Sequence, residues 1–170
     1  MNKLTLYLML GYPGAGKTTT AKLIQDLTCA ELLSSDQVRL ELFPYPKFTP
    51  SEHEAVYKYI DEQTEQLLAQ GISVIYDANL NRYQHRKEKY EICAKVGAKS
   101  VLVWIKTPAE LSKTRAIDQQ RSHLWPQDET ASEMFERLVT VFEAPASNES
   151  VIELDGTKIT SEYVKQALEL

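Results

Sequence analysis

The chain has 170 residues, which fits one domain (1–170) on the usual scale of roughly 100–200 residues per domain. Its 43% hydrophobic and 25% charged residues exclude disordered and fibrous architectures, and its net charge of −5 argues against a surface that binds nucleic acid extensively. Only two cysteines are present, without the spacing of a disulfide framework or a zinc site, so we expect a cytoplasmic protein with reduced thiols.

Short apolar runs alternate with stretches of helical period, a pattern typical of a parallel sheet covered by helices. Because the runs are continuous, we expect both faces of each strand to be covered. The longest run, Leu4–Leu10, is far shorter than the roughly 20 residues that cross a bilayer, so we expect no membrane span. The sequence predicts an α/β fold with a parallel five-stranded sheet, whose strands are Leu4–Leu10, Ala30–Ser34, Ile72–Tyr76, Val101–Ile105 and Val151–Leu154.

Several of the intervening helices have recognisable ends. Capping-box patterns at Ser51–Glu54 and Thr130–Glu133 predict two helix starts, and Gly71 ends the first of these helices. Cys93 is expected in the core. Further helices are predicted at about Thr19–Thr28, at about Asn81–Gly97 and from Thr160, and loops are predicted at Leu42–Pro50 and Ser122–Glu129.

The segment Gly11–Thr18 (GYPGAGKT) matches the phosphate-loop pattern G-x-x-x-x-G-K-[ST]. Glycines let backbone N–H groups turn toward phosphate oxygens, and the following helix directs its positive N-terminal end at the same anion. Lys17 is expected to reach the β- and γ-phosphates, and the Thr18 hydroxyl to bind Mg²⁺. The residues predicted to bind ATP are Gly11, Pro13, Gly14, Ala15, Gly16, Lys17, Thr18 and Thr19.

Two other classes of phosphate-loop protein are disfavoured. A guanine-specific switch protein normally carries an Asn/Thr-Lys-x-Asp motif, which the sequence lacks. A ring-forming motor ATPase usually ends its third-strand motif in Asp-Glu, whereas the strand Ile72–Tyr76 is followed by Asp77-Ala78.

Asp36 follows the second predicted strand, at the edge of the sheet where open α/β folds bind ligands. A carboxylate there can accept the proton of a hydroxyl that attacks the γ-phosphorus. The alternative is that Asp36 caps a helix beginning at Gln37. Arg39, about one helical turn further on, can hold an anionic substrate group or orient Asp36.

Three further residues carry charges suited to phosphoryl transfer. Asp77 can hold a magnesium-bound water or orient Arg39, or it is a turn residue at the end of a strand. Arg115 and Arg121 lie six residues apart, where a helix after the fourth strand passes into the loop Ser122–Glu129, and a mobile loop of this kind can deliver an arginine that stabilises charge in the transition state. Two arginines on a polar helix are also compatible with a solvated surface.

Together these segments resemble the small P-loop kinases, in particular the kinase domain of phage polynucleotide kinase and related AAA-type ATP-binding kinases. The resemblance rests on Gly11–Thr18, Asp36-x-x-Arg39, the segment Gly71–Arg82 and the arginine-bearing segment. It implies a three-layer nucleoside-kinase-like fold with a small lid at about residues 115–131. It also implies Lys17 and Thr18 as phosphate and magnesium ligands, Asp36 as general base, Arg39 on the acceptor with help from Asp77, and Arg121, or else Arg115, as lid arginine.

The sequence leaves the phosphate acceptor open. We expect an ATP-dependent kinase for a hydroxyl of a small molecule or a nucleic-acid 5′ end, with a regulatory ATPase or a nucleoside monophosphate kinase as alternatives. The helix Asn81–Lys99 has a local balance of +4, which either attracts a phosphate-bearing substrate or forms a solvated face. Tyr45 and Phe48 either stack on a substrate ring or pack within the fold. No oligomeric state is predicted.

Overall fold

The computed structural model of the chain describes residues 3–118 and 129–170. Its strands are β1 (Thr5–Leu10), β2 (Glu31–Ser34), β3 (Val74–Asp77), β4 (Lys99–Lys106) and β5 (Val151–Asp155). All pair in parallel in one sheet of order β2-β3-β1-β4-β5, so the predicted α/β fold with a parallel five-stranded sheet is confirmed. The predicted strand ends lie within two residues of the observed ones.

Seven helices are described in the same two ranges. They are α1 (Lys17–Thr28), α2 (Ser35–Leu42), α3 (Pro50–Ala69), α4 (Tyr83–Val96), α5 (Ala109–Asp118), α6 (Ala131–Thr140) and α7 (Ser161–Ala167). Arg121 and nearly all of the predicted loop Ser122–Glu129 lie outside the described residues.

The two predicted capping boxes have different outcomes. At the start of α6, Thr130 Oγ1 accepts from the Glu133 N–H at 3.2 Å and Glu133 accepts from the Thr130 N–H at 2.9 Å, which confirms that box. At the start of α3 the prediction is wrong, because Thr49 is the N-cap and accepts from the Glu52 N–H. Pro50 takes the first helical position, where its fixed φ and missing N–H are tolerated, so the helix begins two residues earlier than predicted.

The sheet has a buried core on each face. Side chains alternate along a strand, so Leu6, Leu8 and Leu10 of β1 pack on the face covered by α3 and α4, while Tyr7 and Met9 pack on the face covered by α1 and α7. All six residues of β1 are buried, as the continuous apolar run predicted. Within the described ranges, no helix combines the length and apolar character needed to cross a membrane.

The strand order reverses beside β1, because the chain connects β1 to strands on one side of it and then crosses to β4 on the other. In open α/β sheets, ligands bind outside the carboxyl ends of the strands at such a reversal. β1 ends at Leu10, before the phosphate loop, and Ser34 at the end of β2 pairs with Asp77 at the end of β3. The fold therefore brings the loop, the start of α2 and Asp77 to one edge of the sheet.

Candidate active site

A cavity of about 690 Å³ opens at this edge of the sheet. One wall, which we call the phosphate-loop side, is lined by Asp77 and by every residue of the segment 11–19 except Tyr12 and Ala15. A second wall, which we call the α3 side, is formed by α2, the end of the loop between α2 and α3, the first turns of α3, and the segment between β3 and α4. Ala116 of α5 and one face of α6 complete the lining.

The phosphate loop has the backbone shape that its glycines predict. Gly11, Gly14 and Gly16 all have positive φ angles, of +151°, +76° and +108°. Gly14 also has no space for a side chain, since a Cβ there would lie against Ser112 O and 2.8 Å from Ala116 N of α5. The close approach of α5 is thus a second reason for glycine at this position.

Seven of the eight residues predicted to bind ATP line the cavity, and Ala15 is the exception. Ala15 is fully buried, its N–H donates to Tyr12 O at 3.0 Å, and its carbonyl accepts from Thr107 Oγ1 at 2.8 Å. Gly156, after β5, lies against the same carbonyl, because a Cβ there would be 2.8 Å from Ala15 O. Ala15 therefore holds the loop to β4 and β5 from behind.

Lys17 and Thr18 extend from the first turn of α1 across the loop. Lys17 Nζ donates to Gly11 O at 2.9 Å and to Tyr12 O at 3.0 Å. Thr18 Oγ1 donates to Asp77 Oδ2 at 2.8 Å, and Asp77 is only 6% exposed. This pair offers a hydroxyl and a carboxylate, the oxygen donors that Mg²⁺ prefers. Among the described residues no cluster of three or more His, Cys, Asp or Glu could hold a metal ion, so a magnesium ion here would take further ligands from phosphates and water.

Asp36 lines the cavity at the second position of α2. The helix begins at Ser35, with Ser34 as its N-cap, and therefore starts two residues before the capping interpretation of Asp36 requires. The side chain is partly buried. The predicted general base thus lies inside the first helical turn and shares a cavity with the phosphate loop.

Arg39 also lines the cavity, but its contacts differ from those expected. One of the roles open to Asp77 was to orient Arg39, whereas Asp77 bonds to Thr18 and the guanidinium of Arg39 lies 3.9 Å from Glu52 and 3.4 Å from His53. Its carbon Cζ lies 5.0 Å from the centre of the Phe48 ring. Arg39 is therefore held by the α3 side.

Tyr57 fixes α3 to the segment after β3. Its hydroxyl accepts from the Asn79 N–H at 3.0 Å and donates to Asn79 O at 3.3 Å, and its ring packs on His53 with centres 4.4 Å apart. Burial raises the pKa of the Tyr57 phenol well above its usual value, so the hydroxyl stays protonated.

The arginines in and near the predicted lid differ in their position relative to the cavity. Arg115 is not among the residues that line the cavity, and its Nη1 donates to Gly156 O at 3.3 Å. Arg137 of α6 does line the cavity, and it forms two hydrogen bonds of 2.6 and 2.7 Å to Glu129. Arg121 lies outside the described residues.

The sequence matches the family model of an AAA domain (AAA_33) over residues 6–145. The chain belongs to this AAA domain family. No curated protein matches this AAA domain chain.

The AAA domain is similar in fold to several solved structures. An unliganded sugar kinase from Janibacter sp. HTCC2649 is 21% identical, with a TM-score of 0.70 over 99% of this chain and 94% of that chain. APS kinase CysC from Mycobacterium tuberculosis, in complex with AMPPNP and APS, is 17% identical, with a TM-score of 0.72 over 99% and 98%. In the Pnkp1/Rnl/Hen1 RNA repair complex, 83% of this chain matches 44% of that chain at 21% identity and a TM-score of 0.64. The P-loop kinase-like fold expected from the resemblance is confirmed.

Sequence reasoning missed Arg137 and Tyr57 of the AAA domain's cavity. Met134, Arg137 and Leu138 share one face of α6 at spacings of three and four, so the predicted helix start at Thr130 contained a signal for Arg137. Tyr57 gave no such signal, because its partner Asn79 is distant in sequence and belongs to a different element.

Proposed function

We propose that the protein is an ATP-dependent kinase that transfers the γ-phosphate of ATP to a hydroxyl acceptor, with Asp36 as general base. The observation that supports this most is the position of Asp36 in the same cavity as the phosphate loop and the Thr18–Asp77 pair. A carboxylate opposite a phosphate-binding loop suits an acceptor that must lose a proton. The AMPPNP complex of the similar APS kinase supports ATP as the donor.

On the phosphate-loop side, backbone N–H groups and Lys17 would bind the phosphates of ATP. Lys17 would exchange its bonds to Gly11 O and Tyr12 O for bonds to phosphate oxygens. Mg²⁺, when bound, neutralises phosphate charge. Thr18 and Asp77 would hold it, with the Thr18 hydroxyl as direct ligand and Asp77 through water.

On the α3 side, Asp36 would accept the proton of the acceptor hydroxyl as its oxygen attacks the γ-phosphorus. The new oxygen–phosphorus bond forms while the bond from the γ-phosphorus to the β,γ-bridging oxygen breaks, and ADP leaves with the bonding electron pair. Arg39 would hold an anionic or hydroxyl oxygen of the acceptor. Arg121, or else Arg115, would supply the lid charge, and the position of Arg137 makes it a third candidate.

The acceptor proposed here is a small molecule or a chain end such as a nucleic-acid 5′-hydroxyl. Two of the basic residues in Asn81–Lys99 are buried in ion pairs, since Arg86 contacts Glu149 at 2.7 Å and Lys89 contacts Asp61 at 2.6 Å. The helix therefore offers less positive surface than its sequence indicates. This favours a small acceptor or chain end over extensive nucleic-acid binding.

The test is transfer of label from γ-labelled ATP, with Mg²⁺, to a panel of 5′-hydroxyl oligonucleotides, nucleosides, sugars and monophosphates. We expect one acceptor class to be labelled and Asp36→Asn to reduce the rate roughly 100- to 10,000-fold, the usual contribution of a general base. Asp26→Asn is the matched control, because Asp26 is exposed on α1 and does not line the cavity.

Other results would point to the alternatives. Release of free phosphate with no labelled acceptor would favour a regulatory ATPase. Labelling of a monophosphate at a rate that Asp36→Asn leaves unchanged would favour a nucleoside monophosphate kinase, because a phosphate acceptor is already anionic and needs no base.

A further inference from the structure

The α3 side contains a buried arginine whose guanidinium donors are not all satisfied by hydrogen bonds. Arg39 is 7% exposed, and its guanidinium is surrounded by Phe48, Glu52 and His53, which we call the Arg39 cradle. Glu52 Oε2 lies 3.9 Å from Nη1, which is beyond hydrogen-bonding distance. Nη1 is buried and makes no hydrogen bond within the described part of the chain. A buried donor in this state is costly, so it marks a position where a ligand oxygen would be stabilising.

Glu52 makes no hydrogen bond to the Arg39 guanidinium, because its carboxylate accepts hydrogen bonds from backbone N–H groups instead. Its oxygens accept from the Lys47 N–H at 2.9 and 3.1 Å and from the Phe48 N–H at 2.7 Å. These bonds hold Phe48 at a φ of +55°, in the left-handed region that non-glycine residues rarely adopt. The strained loop keeps the Phe48 ring against the guanidinium. The polar contact that remains is the one to His53.

The contact to His53 defines the proton arrangement of the imidazole. A guanidinium has donors only, so Nδ1 of His53, which lies 3.4 Å from Arg39 Nη2, must accept with its lone pair. The ring is then neutral and carries its proton on Nε2. Its stacking on Tyr57, which Asn79 holds, fixes the plane of the ring.

We propose that His53 is a positioning residue: its neutral ring holds Arg39 at the cavity wall and leaves Nη1 for an oxygen of the acceptor. The proposal rests on the proposed kinase function, since it requires an acceptor in this cavity. Protonation of His53 removes the lone pair and places a second cation beside the guanidinium. Acceptor binding therefore weakens as His53 becomes protonated, while ATP binding on the phosphate-loop side does not.

The charges around His53 favour its neutral form. His53 is more than a third exposed to solvent, but the partial burial of its ring, followed by the positive charges of Arg39 on α2 and His85 on α4, lowers its pKa below the usual 6.5. Neutral His53 is thus the main form above about pH 6.5, and the contact is lost only as the pH falls through the lowered pKa. The other charged or titratable groups nearby are Glu52, Glu54 and Tyr57 on α3, Asp36 on α2 and, on the phosphate-loop side, Asp77.

The first test uses the nitrogen NMR signals of the imidazole and needs no activity. We expect His53 to titrate below pH 6.5 with an unprotonated Nδ1 in its neutral form, and its pKa to rise in Arg39→Gln. His53→Asn identifies the resonance among the three histidines of the chain. A neutral ring protonated on Nδ1, or a pKa that Arg39→Gln leaves unchanged, would overturn the proposal.

The second test measures KM for the labelled acceptor and for ATP between pH 5.5 and 8. At pH 8, His53→Leu should raise the acceptor KM about fivefold to tenfold, within the usual effect of losing one hydrogen bond, and leave the KM for ATP unchanged. His53→Asn, whose amide oxygen can replace Nδ1, should restore the acceptor KM and abolish its rise at acidic pH. His85→Asn is the control at pH 8, where it should change neither KM.

The two tests separate this proposal from the proposed function. Label transfer with an acceptor KM that His53→Leu leaves unchanged at every pH would overturn the positioning role alone. The expected NMR signals with no labelled acceptor would overturn the kinase function, and with it the role of the contact in acceptor binding.

Discussion

The two sides of the cavity are built from different parts of the chain. The phosphate-loop side comes mainly from one continuous segment, and much of its binding capacity is backbone, supported from behind by α5, Thr107 and Gly156. The α3 side is assembled from side chains of four separate segments, linked by bonds such as Tyr57 to Asn79 and Arg39 to His53. A backbone site needs a particular chain geometry, whereas a side-chain site needs a particular network. The two sides should therefore fail in different ways when residues are changed.

The largest effect is expected from the buried ion pair beneath the α3 side. The side chains of Arg86 and Glu149 are fully buried, and Arg86 Nη1 also donates to the carbonyls of Leu80 and Asn81, next to the cavity. Glu149→Ala leaves Arg86 buried without its carboxylate, so we expect the free energy of unfolding to fall by about 3–5 kcal/mol. Urea unfolding at pH 7 measures this loss.

The exposed pair Lys106–Glu153 supplies the control, since Glu153→Ala should cost less than about 1 kcal/mol. The buried pair Arg86–Glu149 also predicts that the free energy of unfolding depends on pH. Burial alone would raise the pKa of Glu149, but bonds from Arg86, Tyr90 and the Ala146 N–H lower it below 4.5 overall. Its stabilising effect should thus be complete above that pH and be lost as the pH falls through the lowered value. If Glu149→Ala and Glu153→Ala lowered the free energy of unfolding equally, the α3 side would not depend on the network around Arg86 and Glu149.

The second prediction concerns the backbone of the phosphate-loop side. Gly14→Ala must adopt a φ of +76° and places a Cβ against the backbone of α5, which cannot move as easily as a side chain. We expect a loss of about 3 kcal/mol in the free energy of unfolding, from strain and overpacking together. We also expect weaker ATP binding, measured by equilibrium titration with labelled ATP.

Gly71→Ala separates the two causes. Gly71 has a similar φ of +80°, but a Cβ there would have no atom within 4 Å. This variant should lose only about 1 kcal/mol, the cost of the backbone angle. If the free energy of unfolding fell equally in the two alanine variants, the contact of the new Cβ with α5 would add nothing to the destabilisation of Gly14→Ala.

The same contrast explains what the sequence could predict. Phosphate binding follows from a local pattern, so Gly11–Thr18 and the strand before it identified both the loop and the fold class. Asp36 and Asp77 were expected at the edge of the sheet because strand ends are local features as well. The bonds of Arg39 could not be inferred, because its partners on α3 reach it only after a proline loop with Phe48 in a left-handed conformation. The position of Ala15 behind the loop could not be inferred for a similar reason, since its contact with Thr107 depends on how β4 packs.

The smallest effect is expected from a single hydroxyl on the α3 side. Tyr57→Phe removes both bonds to the Asn79 backbone but keeps the ring that stacks on His53. We expect a loss of about 1 kcal/mol in the free energy of unfolding, because water in the cavity can replace part of each bond. The acceptor KM should rise a few-fold as His53 and Arg39 lose their fixed support, and the KM for ATP should stay constant. Tyr59→Phe, on an exposed part of α3, should change neither quantity. A parallel rise in both KM values in Tyr57→Phe would contradict the independence of the two sides.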